Sequence, residues 1–339
     1  MTSQRASGCL FGLAFGDALG APTEFLSYSE IKARYGTYHS LMLKGDPAYV
    51  TDDTQMALAV AKALRRAETP YSQATLLDPL RNAFIEWLDS PDNNRAPGNT
   101  CLDACYALQD GQPWYKASVQ GSKGCGANMR VAPVGILPAG EHGFDETARA
   151  GMAQFQAALT HGHPTGLAAA DLTAAAIADL VQGGTPTGLV ARLTEYARSQ
   201  RQIWHAAWLD PLLSVRPVAV DSKEFIAYGW DECLRVLDRL AWAVENADRD
   251  SDPCKATGAG WIAEEAFATG LLCFLLFPNE PTDAVRFAAM TSGDSDSIAC
   301  LTGAFAGSYH GLSAWPADWI SRIEYADQLT AFGAYWDRG

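Results

Sequence analysis

The sequence predicts an all-α fold: one domain over residues 1–339, built as a helical bundle of a dozen or more helices. Three observations predict it. Alanine and leucine recur at helical spacing along most of the chain. No run of alternating β-branched residues is long enough to demand a sheet. Hydrophobic residues make up 48% of the chain and charged residues 19%, which suits a large buried core and not a disordered chain.

The elements follow in order. The opening stretch MTSQRASGCLFGLAFGDALG has the short apolar run of a signal peptide, but Asp17 interrupts it. It reads instead as a buried first helix. Within GLAFGDALGAPTEF (12–25), Gly12, Gly16 and Gly20 share one helix face, a device for close packing. Glu24 falls just after Pro22, beyond the expected helix end. A carboxylate there suits a general acid or base, and equally an ordinary loop glutamate.

Four further helices are legible. TQMALAVAKALRRA (54–67) sets Met56, Ala59, Val60, Ala63 and Leu64 on one face. HPTGLAAADLTAAAIADLV (163–181) opens with Pro164 and stops before Gly183 and Gly184. DECLRVLDRLAWAVENA (231–247) is amphipathic. GWIAEEAFATGLLCFLLF (260–277) is more apolar and is expected at the centre. Loops rich in Gly, Pro and Asn are expected at 90–100, 109–128, 138–144, 183–187 and 248–259. No internal repeat stands out at solenoid periods.

Net charge is −14, which opposes general nucleic-acid binding. A phosphate-bearing ligand must then rely on local cations or backbone N–H groups. The longest uncharged apolar run, 266–278, falls short of the ~20 residues of a membrane span. Eight cysteines occur with no CxxC pair, which implies reduced thiols and a cytoplasmic location.

Four constellations carry chemistry. In YVTDDTQM, Asp52 and Asp53 stand between Thr51 and Thr54 at a helix start. In TSGDSDSIACLTGAFAG, Asp294 and Asp296 alternate with Ser295 and Ser297 before a second helix. Either cluster alone reads as a helix cap. If they converge, their repulsion calls for a cation, and carboxylate and hydroxyl oxygens suit magnesium or manganese rather than zinc. Third, three glycines in GSKGCGANMRVAPVGIL precede a helix expected from Ala127 or Asn128. Their N–H groups suit an anion nest, although the run is neither a P-loop nor a GxGxxG fingerprint. Fourth, LTHGHP holds His161 and His163, too few ligands for a metal site.

These segments, taken in chain order, resemble the ADP-ribosylglycohydrolase family, the group of dinitrogenase reductase-activating glycohydrolase. The resemblance covers most of the chain and rests on GLAFGDALGAPTEF, TDDTQMALA, GCGANMRVAPVG, LTHGHP and SGDSDSIACLTGAFAG. It implies an all-α orthogonal bundle with a two-metal cleft that hydrolyses the bond between ADP-ribose and a modified group. By resemblance, Thr51, Asp52, Asp53, Asp294, Asp296 and Ser297 hold two magnesium ions, with manganese the alternative. Glu24 matches the acidic residue beside the first metal, and Glu24, Asp53 and Asp296 are the catalytic candidates. Ser122, Lys123, Gly124, Cys125 and Gly126 match the loop that cradles the diphosphate and distal ribose. Gly98 matches a glycine lying against the ligand, and His161 a ligand-contacting histidine.

There are two departures. The family loop usually reads Gly-Asn-Gly where this chain has Gly124-Cys125-Gly126, and Cys is a poor hydrogen-bond partner. Ser297 stands where Thr is common and offers the same oxygen. The implied substrate is an ADP-ribosylated protein, arginine-linked first and serine-, otherwise O- or nucleobase-linked second, with ADP-ribose as product. An ADP-ribosyltransferase or toxin is the implied counterpart. Two competing readings are a non-enzymatic binding or immunity protein and a metal-dependent phosphohydrolase. The first should have lost carboxylates; the second would release phosphate instead of intact ADP-ribose.

Overall fold

The computed structural model describes residues 4–138, 140, 144–216 and 221–338. Its first half holds α1 (Arg5–Gly20), α2 (Tyr28–Tyr35), α3 (Asp52–Arg66), α4 (Gln73–Leu88), α5 (Asn99–Gln109), α6 (Trp114–Ala117), α7 (Ala132–Gly135), α8 (Glu146–Ala158) and α9 (Pro164–Val181). The second half holds α10 (Leu189–Gln200), α11 (Ala206–Leu213), α12 (Ser222–Asn246), α13 (Cys254–Thr257), α14 (Ala263–Leu276), α15 (Pro281–Ala288), α16 (Ser295–His310), α17 (Ala317–Arg322) and α18 (Ala326–Trp336). Among the described residues the only β pairing is three isolated bridges, so the all-α expectation holds.

The core is organised around α1 and α16, the most extensive helix pair in the molecule. Their sequences explain the contact. Gly8, Gly12, Gly16 and Gly20 run down one face of α1 and meet Gly307, Gly303, Ala299 and Asp296 of α16 in that order. A Cβ on Gly16 would stand 1.8 Å from Ala299 O, and one on Gly303 1.8 Å from Gly12 O. The two backbones therefore touch along their length, an approach that no larger residue permits. α14 and α15 also pack on α16, with α15 touching α1 as well, and α18 packs on α1.

α9, α8 and α12 form a neighbouring layer. α9 is apolar and long enough to cross a bilayer by composition, yet 89% of it is buried within the fold.

The four sequence-predicted helices appear as α3, α9, the C-terminal part of α12, and α14. α12 starts earlier than expected, at Ser222, because the Asp221 carboxylate caps it, accepting from Lys223 N at 2.8 Å and Glu224 N at 3.1 Å. One expectation is corrected. No helix runs on from Ala127 or Asn128. The chain makes a 3₁₀ turn at Cys125–Ala127 and then only the four-residue α7. Pro133 explains the break, since it has no N–H to give to the turn before it. The loops expected at 109–128 and 248–259 contain the short helices α6 and α13. Residues 139 and 141–143 of the loop expected at 138–144 lie outside the described residues.

Candidate active site

The glycine seam fixes where the chemistry sits. It ends with Gly20 against the first turn of α16, and three residues later Thr23 pins the chain there. The Thr23 hydroxyl lies 2.7 Å from Gly20 O, 2.6 Å from Ala289 O and 3.0 Å from Ser295 Oγ. Glu24 is thereby held over the start of α16. The two acidic helix starts, distant in sequence, and Glu24 line one open cleft of about 420 Å³.

The start of α3 separates capping from function. Thr51 Oγ1 accepts from Asp53 N at 3.4 Å. The stronger cap is Asp17, from α1: it accepts from Thr51 N at 2.9 Å, from Thr54 N at 3.0 Å and from the Thr54 hydroxyl. Asp52 and Asp53 are thus not needed as caps. They are only 7% and 2% exposed. Asp52 Oδ2 receives a long bond from Gly98 N, 3.4 Å. Asp53 Oδ1 is buried and finds no hydrogen-bond partner among the described residues. A buried carboxylate oxygen without a partner is costly, and a cation is the group that would satisfy it.

At α16, Asp294 makes no side-chain cap. Oxygens of Glu24, Asp294 and Asp296 lie within 4.8 Å of one another. Ser297 N donates to Asp296 Oδ1 at 3.0 Å. Burial raises the pKa of all five carboxyls, and the charge of Asp296 raises the other four further. Asp52 is pushed up to about 8 and Glu24 to about 9. Asp17, behind the cluster, rises to about 7 from the same two causes. Five carboxyls lining one cleft, three of them this close, repel one another unless protonated or bridged by a cation, and the set fits a divalent metal of the magnesium class.

A second wall is the 121–126 loop. Gly124, Cys125 and Gly126 line the cleft. Cys125 N donates to Trp261 O at 3.1 Å, so that amide is engaged in the fold. Ser122 and Lys123 do not line the cleft. Ser122 Oγ lies 3.0 Å from Thr100 Oγ1, and the Lys123 ammonium is paired with Glu264.

His161 lies under the loop, with Nε2 3.2 Å from where a Gly124 Cβ would be. Its protonation is set from behind. The buried Arg130 donates to Thr160 Oγ1 at 2.8 Å, and that hydroxyl lies 2.7 Å from His161 Nδ1 but 3.4 Å from Ala157 O. The hydroxyl proton therefore goes to Nδ1, and Nε2 carries the ring proton toward the loop. Burial, aided by Arg130, pushes the imidazole pKa down to about 3, so the ring is a neutral donor.

The third wall is the start of α5, with Gly98, Asn99 and Thr100 lining the cleft. A Cβ on Gly98 would meet nothing within 4 Å, so the cleft is open there. Arg95 anchors this wall by donating to Val50 O at 2.7 Å and pairing with Glu324.

Several residues here carry no sequence signal of their own. Asp17 looks like a lone polar residue in an apolar helix. Asn99 and Thr100 look like loop residues. Phe25 and Trp261 form the lip of the cleft, stacked with ring centroids 5.6 Å apart at 21°.

The chain is also similar to known proteins. A sequence profile described as ADP-ribosylglycohydrolase matches residues 1–338. The chain is 25% identical to the ADP-ribosyl-[dinitrogen reductase] glycohydrolase of Rhodospirillum rubrum, covering 94% of this chain and 90% of that protein. It is 23% identical to ADP-ribosylarginine hydrolase Tri1 of Pseudomonas putida, covering 96% and 76%. The fold matches a solved ADP-ribosylglycohydrolase-related protein complex with a TM-score of 0.66 at 21% identity, over 99% of this chain and 98% of that one.

Proposed function

The chain belongs to the ADP-ribosylglycohydrolase family, and from that premise we propose that it is a metal-dependent hydrolase that removes ADP-ribose from arginine side chains of modified proteins. The observation that carries the reading is the convergence of Asp52, Asp53, Asp294, Asp296 and Glu24 in one cleft, with Asp53 Oδ1 unpartnered. The arginine linkage is supported by the likeness to a relative named for ADP-ribosylarginine.

In this reading Thr51, Asp52, Asp53, Asp294, Asp296 and Ser297 hold two divalent ions, magnesium first and manganese second. Such ions supply charge that orients the sugar hydroxyls and acidifies a water. The chain's own groups do the rest. Gly124, Gly126 and the His161 Nε2–H form the wall against which the diphosphate and distal ribose rest. The start of α5 adds unpaired backbone N–H groups, which suit an anion in a cleft with no lysine or arginine among its described lining residues. As the C1″–N bond lengthens, positive charge develops on the sugar, and the flanking carboxylates stabilise it. Asp53 and Glu24 are the candidates for moving the proton between the attacking water and the departing nitrogen. Asp296 is the third catalytic carboxylate.

The natural counterpart is an ADP-ribosyltransferase or toxin that installs the modification. A cytoplasmic location is supported by eight free cysteines, all buried except the partly buried Cys254.

The test offers arginine-linked and serine-linked ADP-ribosylated proteins to the enzyme in parallel. Release from the arginine substrate alone supports the proposal. Release from the serine substrate alone moves the specificity to O-linked ADP-ribose and refutes the arginine assignment.

A further inference from the structure

The lip of the cleft has a chemistry of its own. Phe25 is 68% exposed and Trp261 44% exposed, although both are large apolar residues. Their rings are nearly parallel, and centroids 5.6 Å apart leave no room for a third ring between them. A ligand can only stack on an outer face. Both backbones are fixed. Phe25 sits at φ 65°, a left-handed conformation that a bulky residue adopts at a cost. The Thr23 bonds and Leu26 N to Thr23 O, 3.0 Å, hold the turn around it. Trp261 is tied to the substrate loop by Cys125 N and by the bridge between Gly124 and Ile262. Ala96, at φ 54°, is the other left-handed non-glycine among the described residues lining the cleft.

The pair therefore joins two functional segments: Phe25 directly follows Glu24, and Trp261 backs the Gly124–Gly126 loop. Charge decides what it faces. Five carboxyls and no lysine or arginine line the cleft among the described residues. The electron-rich face of an aromatic ring disfavours anionic groups and favours a planar cation. The guanidinium of an arginine is planar, stays charged at any working pH, and stacks on aromatic rings.

We infer that Phe25 and Trp261 form a cation–π platform for the guanidinium of the modified arginine, making them the residues that set the enzyme's preference for that linkage. This inference rests on the arginine-linked reading above and identifies the part of the site that would enforce it.

The test uses the magnesium-loaded enzyme and the variants Phe25→Ala, Trp261→Ala and Trp261→Phe. All three substitutions are at exposed positions, so the fold is expected to survive. Three quantities are read: kcat/KM for an arginine-ADP-ribosylated protein, the Kd of ADP-ribose, and the Kd of agmatine, a small guanidinium probe, in the presence of ADP-ribose. Each alanine variant should lower kcat/KM and weaken agmatine by about two- to thirtyfold, the range of a cation–π contact. Trp261→Phe, which keeps an aromatic face, should lose less. The Kd of ADP-ribose should stay within about twofold of wild type, a split that general damage to the cleft would not give.

Parallel weakening of ADP-ribose would overturn the inference and make the pair part of the nucleotide site. Equal agmatine binding in wild type and alanine variants would overturn it as well. If the wild-type enzyme releases nothing from arginine-linked protein, it is the functional reading that fails. The agmatine titration then judges the platform alone: loss in the alanine variants upholds a guanidinium site, and no loss removes it.

Discussion

Gly20, the last residue of α1, lies directly against Asp296 in the first turn of α16: a Cβ on Gly20 would stand 2.4 Å from Asp296 Cα and 2.4 Å from Ser295 O. A packing seam thus sets the position of a candidate metal ligand. Gly20→Ala should push the start of α16 away from Glu24. We expect a loss of about 2 kcal/mol of stability, in the range for overpacking a tight contact, and magnesium binding weaker by about tenfold, the scale of disturbing a ligand's support. Thermal unfolding and magnesium titration check this. Wild-type magnesium affinity in a destabilised Gly20→Ala protein would show that the seam does not position the site.

Asp53→Asn should separate stability from function. The substitution removes a buried carboxyl from a repelling cluster, so the metal-free variant should melt at or above the wild-type temperature. Magnesium should no longer raise that temperature. ADP-ribose release should fall by at least about 100-fold, since several kcal/mol of charge stabilisation are lost. Scanning calorimetry with and without magnesium, alongside the release assay, reads all three.

The raised carboxyl pKa values predict how the metal-free protein responds to pH. Asp17, Asp52 and Glu24 sit at about 7, 8 and 9 when folded, against ordinary values of 3.8 and 4.5. The folded state therefore holds protons that the unfolded state has already released. Their contribution is complete below pH ~4 and is lost as pH rises through 7 to 9. His161 does not blur this window, because above its unfolded value of 6.5 it is neutral in both states. Metal-free protein should melt at a lower temperature at pH 9 than at pH 6.5. Magnesium should raise the melting temperature more at pH 9, because a cation competes with protons for the same oxygens.

Much of this was legible in the sequence, for identifiable reasons. The two acid-hydroxyl clusters show because they interrupt apolar helices. The glycine spacing of α1 shows because it repeats every fourth residue. Convergence does not show, because nothing local to Asp53 refers to Asp294. Asp17 stays hidden for another reason: a single carboxylate in a buried helix looks like an exception, and only the fold reveals that it caps α3 from a different helix. The short α7 escapes because the Gly-rich run looks like a helix start and the effect of Pro133 is felt upstream of it. Lys123 has a partner that its motif does not show. Its place in the loop motif suggests a ligand contact, while its charge is taken up by Glu264.

Asp17 also gives a test. Removing it leaves the Thr51 and Thr54 amides and the Thr54 hydroxyl without their acceptor. Asp17→Ala should cost about 2–4 kcal/mol, as for a buried network that loses its centre. Amide exchange at 51–54 should accelerate more than exchange in α9, which lies in another layer of the core. Uniform acceleration across both helices would contradict a local capping role.

Thr160→Val tests the histidine. It removes the hydroxyl between Arg130 and His161, so the imidazole is free to place its proton on Nδ1. The Kd of ADP-ribose should rise by about fivefold, the scale of one hydrogen bond, and Thr160→Ser should restore it. Equal affinity in all three proteins would remove His161 Nε2–H from the binding wall.

The most direct measurement of the central claim is product identification from an arginine-ADP-ribosylated protein, with magnesium and with EDTA. Intact ADP-ribose, released with magnesium and abolished by EDTA, is the predicted result. Release of inorganic phosphate instead, or ADP-ribose release that EDTA leaves unchanged, would contradict it.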